Sequence, residues 1–466
     1  LHSYQVLIVG GGPGGYETAI RLNQYSISCA VIEEQRLGGI CLNWGCIPTK
    51  ALVKSAELYR EMSEGEAYGL PNLNAELDYR KVFERKNKTV EQLVGGIEYL
   101  FRKRRIPIIA EKAVSIAKEQ DGYLVTTDQG TLIQAEYLII ATGSLPKDLP
   151  GVKIDEMNIL SSTGILGQEN LPASLAVVGG GVIGCEFASI MNAFGVQTTI
   201  VEFLPRLVST EDEEVSKRLA LALKKTGIKI LLGTGVECTE STAGGQLLKL
   251  GDGSSLIVDK VLLSVGRTPR NDLIWNGLEL ESEKGAIRID AMMRTNLPKV
   301  FAIGDVTGKM LLAHTASRQG LMVAELIKAE IEGKIPELAE LNYTNIPRCT
   351  FTNPEIASVG YTEAEARDIF TDINVGKFPF TASGKALALG NTFGFVKTIS
   401  RADTGVLVGM HIIGPNAAEL IAQGAIMVSQ QATAGLVEQV VFAHPTLSEA
   451  VKESLEDIRN ISIHKI

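Results

Sequence analysis

Two glycine-rich turns with the same internal spacing constrain this chain more than any other feature. In "YQVLIVGGGPGGYETAI" an apolar run, Val6–Val9, leads into Gly10, Gly12 and Gly15 and then into a helical pattern. In "SLAVVGGGVIGCEFASI" the same order recurs with Gly179, Gly181 and Gly184. Strand, glycine turn and helix start form a phosphate cradle: glycine permits the tight turn, and backbone N–H groups at a helix N-terminus attract a pyrophosphate. Each turn is followed by a second apolar strand ending in a carboxylate, Glu33 of "SCAVIEE" and Glu202 of "TTIVEF", and each carboxylate lies 18 positions beyond the last glycine of its turn. One such turn is weak evidence; two with matched spacing predict two dinucleotide-binding folds in tandem.

Both halves close on one plan. "YLVTTDQGTLIQAEYLIIATGS" predicts short strands and turns, then an apolar strand ending at Thr142 and Gly143. "QLLKLGDGSSLIVDKVLLSVGR" repeats this up to Gly266 and Arg267. The first half carries an insertion, with a polar helical stretch predicted over roughly 50–105. From about Tyr343 the chain becomes strand-rich without nucleotide motifs, as in an α+β module. The expected fold class is therefore α/β, with two tandem Rossmann-like domains and a C-terminal α+β domain. The expected boundaries are 1–148, 149–275, 276–342 and 343–466. A length of 466 residues suits roughly two to four domains.

A net charge of −9 argues against a general nucleic-acid binder. The one basic run, Arg102–Arg105, is expected to be a solvated helix end. No apolar stretch approaches the roughly 20 residues that a membrane-spanning helix requires, and no signal peptide is visible, although a start at Leu1 leaves a processed or trimmed N-terminus open. Six cysteines are few for this length, which points to a reducing compartment. Only Cys41 and Cys46, in "GGICLNWGCIPTK", are close in sequence. They could form a metal clip, a staple or a redox pair, although the five histidines add no ligands at zinc-like spacing. Glu202 favours NAD in the second cradle, because a carboxylate accepts a ribose 2′-OH and repels a 2′-phosphate. Arg206 nearby is the main reservation.

The motifs GGGPGGY, GGICLNWGCIPTK, ATGS, GGGVIGCE, VGRTPRN, FAIGD, MLLAH, GPNAAELI and AHPTLSEA occur in the order found in one family. On these the chain resembles the flavin-dependent pyridine nucleotide–disulfide oxidoreductases over nearly its whole length. The resemblance implies one non-covalent FAD per subunit in the first fold, with Glu33 on the adenosine ribose, Asp305 and Gly304 at the ribityl chain, and Gly39 in the cysteine loop. Met310, Leu311, Ala313 and His314 would line the flavin ring. It implies NAD+/NADH in the second fold and a redox-active disulfide, Cys41–Cys46, with Cys41 facing substrate and Cys46 facing flavin. Lys50 would stabilise reduced flavin, with Glu186 as its ion-pair partner.

His444, oriented by Glu449, would be the catalytic base and would reach the disulfide of the other subunit of a homodimer across the C-terminal domain. The His444–Pro445 bond is a candidate cis peptide. His2, His411 and His464 are read as structural or surface residues. Within the family, the implied function is NAD-dependent oxidation of protein-bound dihydrolipoamide. The implied partners are lipoyl domains of 2-oxoacid dehydrogenase or glycine-cleavage complexes, with no nucleic acid and no membrane. The implied location is the bacterial cytoplasm, or the mitochondrial matrix had a transit peptide been removed. Glu202 disfavours the NADPH-linked glutathione and trypanothione reductases, and "IRNISIHKI" lacks the C-terminal cysteine pair of a mercuric reductase. Thr49, Phe442, Ile40 and Arg270 depart from the commoner family residues; Phe442 is expected to alter packing without loss of activity.

Overall fold

The computed structural model describes residues 2–71 and 76–465. The chain forms two compact units, one of Leu1–Leu52, Arg80–Lys147 and Gly266–Leu341, the other of Val53–Tyr79, Asp148–Val265 and Asn342–Ile466. The changes of unit at Asp148 and Asn342 lie within one residue of the expected boundaries at 148 and 342, whereas the one at Gly266 lies ten residues before the expected boundary at 275. The second half of the Cys46–Ser63 helix groups with the later residues, and Gly266–Leu341 group with the first sheet.

The first unit is built on an eight-stranded sheet. His2–Val9 lies between Cys29–Ile32 and Leu132–Ile140, parallel to both, with Val6 opposite Cys29 and Tyr137. Val6 to Val9 are all buried, as a strand covered on both faces must be. On its edge away from His2–Val9, Leu132–Ile140 serves two neighbours at once. Its first half alternates and pairs antiparallel with Gly122–Thr127, while its wholly buried second half pairs with Val300–Ala302.

The second nucleotide fold, within the other unit, departs from the shared plan here. The equivalent strand breaks at Asp259, so Ser255–Val258 completes a three-stranded antiparallel sheet while Lys260–Leu263 joins a separate five-stranded parallel one. The C-terminal sheet of the same unit is antiparallel, ordered Arg348–Thr350, Glu355–Gly360, Leu407–Gly414, Phe395–Arg401 and Ile373–Pro379. Helices Ala417–Ser429 and Ser448–Asp457 pack on it.

The expected helical stretch is two helices, Cys46–Ser63 and Tyr79–Arg104, and residues 72–75 of it lie outside the described residues. The second buries Val90, Val94, Ile97 and Phe101 and ends in exposed Arg102 and Lys103, the solvated end expected. No helix among the described residues is long and apolar enough to cross a membrane.

Helix Pro13–Gln24, which follows the first glycine turn, packs on helix Ala313–Ile331 through glycine. A Cβ on Gly320 would overlap Thr18 Oγ1 and lie 2.7 Å from Gly14 O. Gly320→Ala should therefore cost about 1–3 kcal/mol of stability. The measure is a lower urea midpoint; an unchanged midpoint would contradict this packing.

Candidate active site

The three glycines of each turn have different tasks. Gly10 and Gly179 have φ of +111° and +106°, a conformation that side chains disfavour. A Cβ on Gly15 would overlap Gly10 O, and one on Gly184 would overlap Gly179 O. The protein itself thus explains the first and third glycines. Gly12 and Gly181 differ, because both have extended backbone that any residue adopts. A Cβ on Gly12 would meet only Gly39 Cα, at 4.0 Å, and one on Gly181 would meet nothing within 4 Å. These two are the N-caps of helices Pro13–Gln24 and Val182–Ala193 and supply no side-chain cap. Open space over uncapped helix N–H groups fits a bound pyrophosphate at each turn.

The two carboxylates make the same bonds. Glu33 accepts from Gly11 N–H (2.8 Å) and Gln35 N–H (2.9 Å). Glu202 accepts from Gly180 N–H and from Leu204 N–H (2.7 Å). Each ties the end of its strand to the middle of its glycine turn and keeps lone pairs for further donors such as ribose hydroxyls. Burial pushes the Glu33 carboxyl up, opposed by those N–H bonds. Arg206 donates to Ser209 O at 2.6 Å, which spends part of its guanidinium on its own loop.

Beyond the first sheet, loops converge. Thr142 Oγ1 donates to Arg270 O (2.5 Å), and Arg270 N–H donates to Gly143 O (2.9 Å). Gly143 and Gly266 have positive φ and nothing within 4 Å of a would-be Cβ. Arg267 donates to Ser144 Oγ (2.7 Å), which donates to Asp305 Oδ2 (2.5 Å). Burial raises the Asp305 carboxyl, against the Ser144 bond and the Arg267 charge. Gly304 N–H is held by the buried Gln319 carboxamide at 2.7 Å. Met310 and Leu311 precede helix Ala313–Ile331, and Ala313 and an exposed His314 begin it, with no side-chain cap. Ser144 and Gln319 escaped the sequence reading. The serine of "ATGS" was a visible signal, whereas nothing local marks Gln319.

The cysteine loop is docked on the first turn. Gly38 N–H donates to Gly11 O (2.8 Å), and a Cβ on Gly39 would lie 2.7 Å from Gly12 Cα. Buried Asn43 donates to Leu37 O (3.0 Å) and Gly39 O (2.9 Å). Cys41 lies in helix Gly39–Trp44 and Cys46 begins helix Cys46–Ser63, separated by Gly45. A Cβ on Gly45 would lie 2.9 Å from Ile40 O. Thr49 Oγ1 donates to Gly45 O at 2.6 Å, so the hydroxyl that distinguishes neither Ser nor Thr secures the break between the helices. Both cysteines are thiols here. The Cys41 thiol is pushed well up, first by its hydrogen bond with Cys46 and then by burial, while Lys50 opposes this. Cys46, at a helix N-terminus, is placed where the dipole favours a negative sulfur.

In the other unit, His444 Nδ1 and Glu449 Oε1 are 2.8 Å apart, and Glu449 Oε2 accepts from Thr446 N–H (2.9 Å). Burial opposes ionisation of Glu449, but the bonds from His444 and Thr446 hold its carboxyl below the usual range. The His444 side chain is 78% exposed. The His444–Pro445 bond is cis, as is Asn353–Pro354. Glu186 is buried and accepts from Phe351 N–H at 2.9 Å. Phe442 packs against the C-terminal core. His411 is buried, bonded to Tyr361 O, and His464 is exposed and bonded to Glu453.

The family model of the pyridine nucleotide-disulphide oxidoreductases matches residues 4–320, and that of their dimerisation domain matches 346–455. A dihydrolipoyl dehydrogenase of Corynebacterium glutamicum is 40% identical, with 98% of each chain covered. One from Zymomonas mobilis is 39% identical, with 97% of each covered. In fold, the chain is similar to LpdA from Mycobacterium tuberculosis, with a TM-score of 0.87 at 24% identity over 98% of this chain and 99% of that one.

Gly181→Ala should leave thermal stability unchanged, because its Cβ meets no protein atom, yet weaken binding at the second turn about tenfold or more. NADH titration beside a melting curve reads both effects. Unweakened binding, or a destabilised protein, would remove the argument that this glycine is kept for a ligand.

Proposed function

Because this chain belongs to the pyridine nucleotide-disulphide oxidoreductases, we propose that it works as a dihydrolipoyl dehydrogenase. In this reading it oxidises protein-bound dihydrolipoamide to lipoamide and passes the electrons to NAD+. The observation that carries most weight is the Cys41–Cys46 pair, held against the first nucleotide turn by Gly38 and Gly39.

FAD would be held at the first turn, where it would supply the two-electron carrier between the dithiol and NAD+. Its contacts are assigned to Gly10, Gly12, Gly15, Glu33, Gly39, Lys50, Thr142, Gly143, Gly304 and Asp305, with Met310, Leu311, Ala313 and His314 beside the ring. NAD+ is assigned to Gly179, Gly181, Gly184, Glu186, Glu202, Gly266 and Arg267. Glu202 selects NAD+ over NADP+, as Arg206 is engaged with Ser209 O.

The disulfide form of the pair accepts the electrons. A substrate thiolate attacks Cys41 Sγ and displaces Cys46 as thiolate, whose charge the helix N-terminus favours. His444 of the partner subunit takes the proton of the second substrate thiol. That sulfur closes the lipoyl disulfide and releases Cys41 as thiolate. Glu449 holds the imidazole through Nδ1, leaving Nε2 for the proton, and stabilises the imidazolium that forms. The exposed dyad therefore acts in a homodimer. Lipoyl domains of 2-oxoacid dehydrogenase or glycine-cleavage complexes are the proposed substrates, and the cytoplasm or a mitochondrial matrix the proposed setting.

Steady-state oxidation of dihydrolipoamide with NAD+ and with NADP+ tests this reading. NAD+ should be strongly preferred, and turnover with NADP+ alone would overturn it. Glu449→Gln should slow the dihydrolipoamide half by about a hundredfold or more, while NADH-driven reduction of ferricyanide stays near wild type.

A further inference from the structure

A polar row crosses the C-terminal sheet. Arg348 lies opposite Ser358, Ser358 opposite His411, His411 opposite Lys397, and Lys397 opposite Lys377, one residue from each of the five strands. Residues in direct register share a face. Ser358, His411 and Lys397 are at most 1% exposed. Against this row lies an acidic segment at the start of helix Glu213–Lys225. Lys397 Nζ reaches both Asp212 carboxylate oxygens at 3.1 Å, Glu214 at 3.1 Å and Glu363 at 2.6 Å. Arg348 pairs with Glu211 at 3.4 Å, and Lys377 with Glu214 at 2.8 Å. Asp212 also caps its helix by accepting from Glu214 N–H at 3.0 Å.

The same segment runs back to the second glycine turn. Glu211 N–H donates to Val208 O (2.8 Å), and Val208 N–H donates to Gly180 O (2.8 Å). Ser216 Oγ donates to Leu207 O (2.7 Å). Gly180 is in turn the glycine whose N–H Glu202 holds. Polar contacts joined by the Glu211–Asp212 peptide linkage therefore connect Lys397 to the turn, all within one compact unit. A buried ion pair contributes little stability beyond a well-packed apolar replacement. What it adds is a fixed register for the segment it grips.

We propose that Lys397 is a positioning residue for pyridine-nucleotide binding. Through Asp212 it fixes segment 207–212 against the Gly179–Gly184 turn, and so sets the turn's affinity for a nucleotide it does not touch. The inference rests on reading that turn as the NAD site.

The test uses the holoenzyme. Lys397→Met alone leaves Asp212 buried without a cation and risks unfolding. Lys397→Met combined with Asp212→Asn removes both charges, keeps a helix-capping residue, and leaves Glu214 with Lys377 and Glu363 with Arg367. KM for NAD+ in this double variant should rise about three- to thirtyfold. The single-turnover rate of flavin reduction by dihydrolipoamide should stay within about twofold of wild type. A folded double variant with wild-type KM for NAD+ would overturn the inference. So would parallel losses in both half-reactions, which mark a purely structural role. If the wild type itself takes no electrons from NADH, the reading of the turn fails, and the inference with it.

Discussion

The contact on which the rest of the site depends is between two glycines five residues apart. Gly15 presses on Gly10 O and Gly184 on Gly179 O so closely that no side chain could intervene. That contact folds each helix back over the end of its strand and aims the helix N-terminus at one point in space. The carboxylates of Glu33 and Glu202 then brace the turns from the neighbouring strand by holding Gly11 and Gly180 N–H. Two short-range devices, one steric and one electrostatic, thus make a cradle, and the chain builds it twice.

The redox chemistry hangs on the first cradle. Gly39 approaches Gly12 so closely that the cysteine helix is seated on the turn itself, and Asn43 fixes the entry to that helix. Gly45 and Thr49 then break the helix between the cysteines, which lets Cys46 open a new helix while its sulfur stays hydrogen-bonded to Cys41. The second cradle is steadied from another direction, by an acidic segment gripped by a row of cations on the C-terminal sheet.

Much of this was legible in the sequence because the signals are local. The matched spacing from glycine to carboxylate singled out Glu33 and Glu202, though as ribose ligands and not as braces of the turns, and the motif order singled out Asp305 and the hydrogen-bonded His444–Glu449 pair. What escaped depends on contacts between distant segments. Gln319 holds Gly304 N–H from a helix one would read only as amphipathic. Arg270, noted as a departure, proves to pair with Glu34 across more than two hundred residues. The split at Asp259 is another case, since two halves with the same strand plan resolve into one shared strand and two separate ones. The polar row could not be seen at all, because its five members are neighbours only through strand register.

The central claim is that Cys41 and Cys46 interconvert between disulfide and dithiol during turnover. Peptide mapping after anaerobic alkylation measures this directly. The oxidised enzyme should show neither cysteine alkylated, one equivalent of dihydrolipoamide should expose both, and NAD+ should then return both to the unreactive disulfide. Labelling of Cys41 and Cys46 that ignores dihydrolipoamide, or that persists after NAD+, would contradict the account.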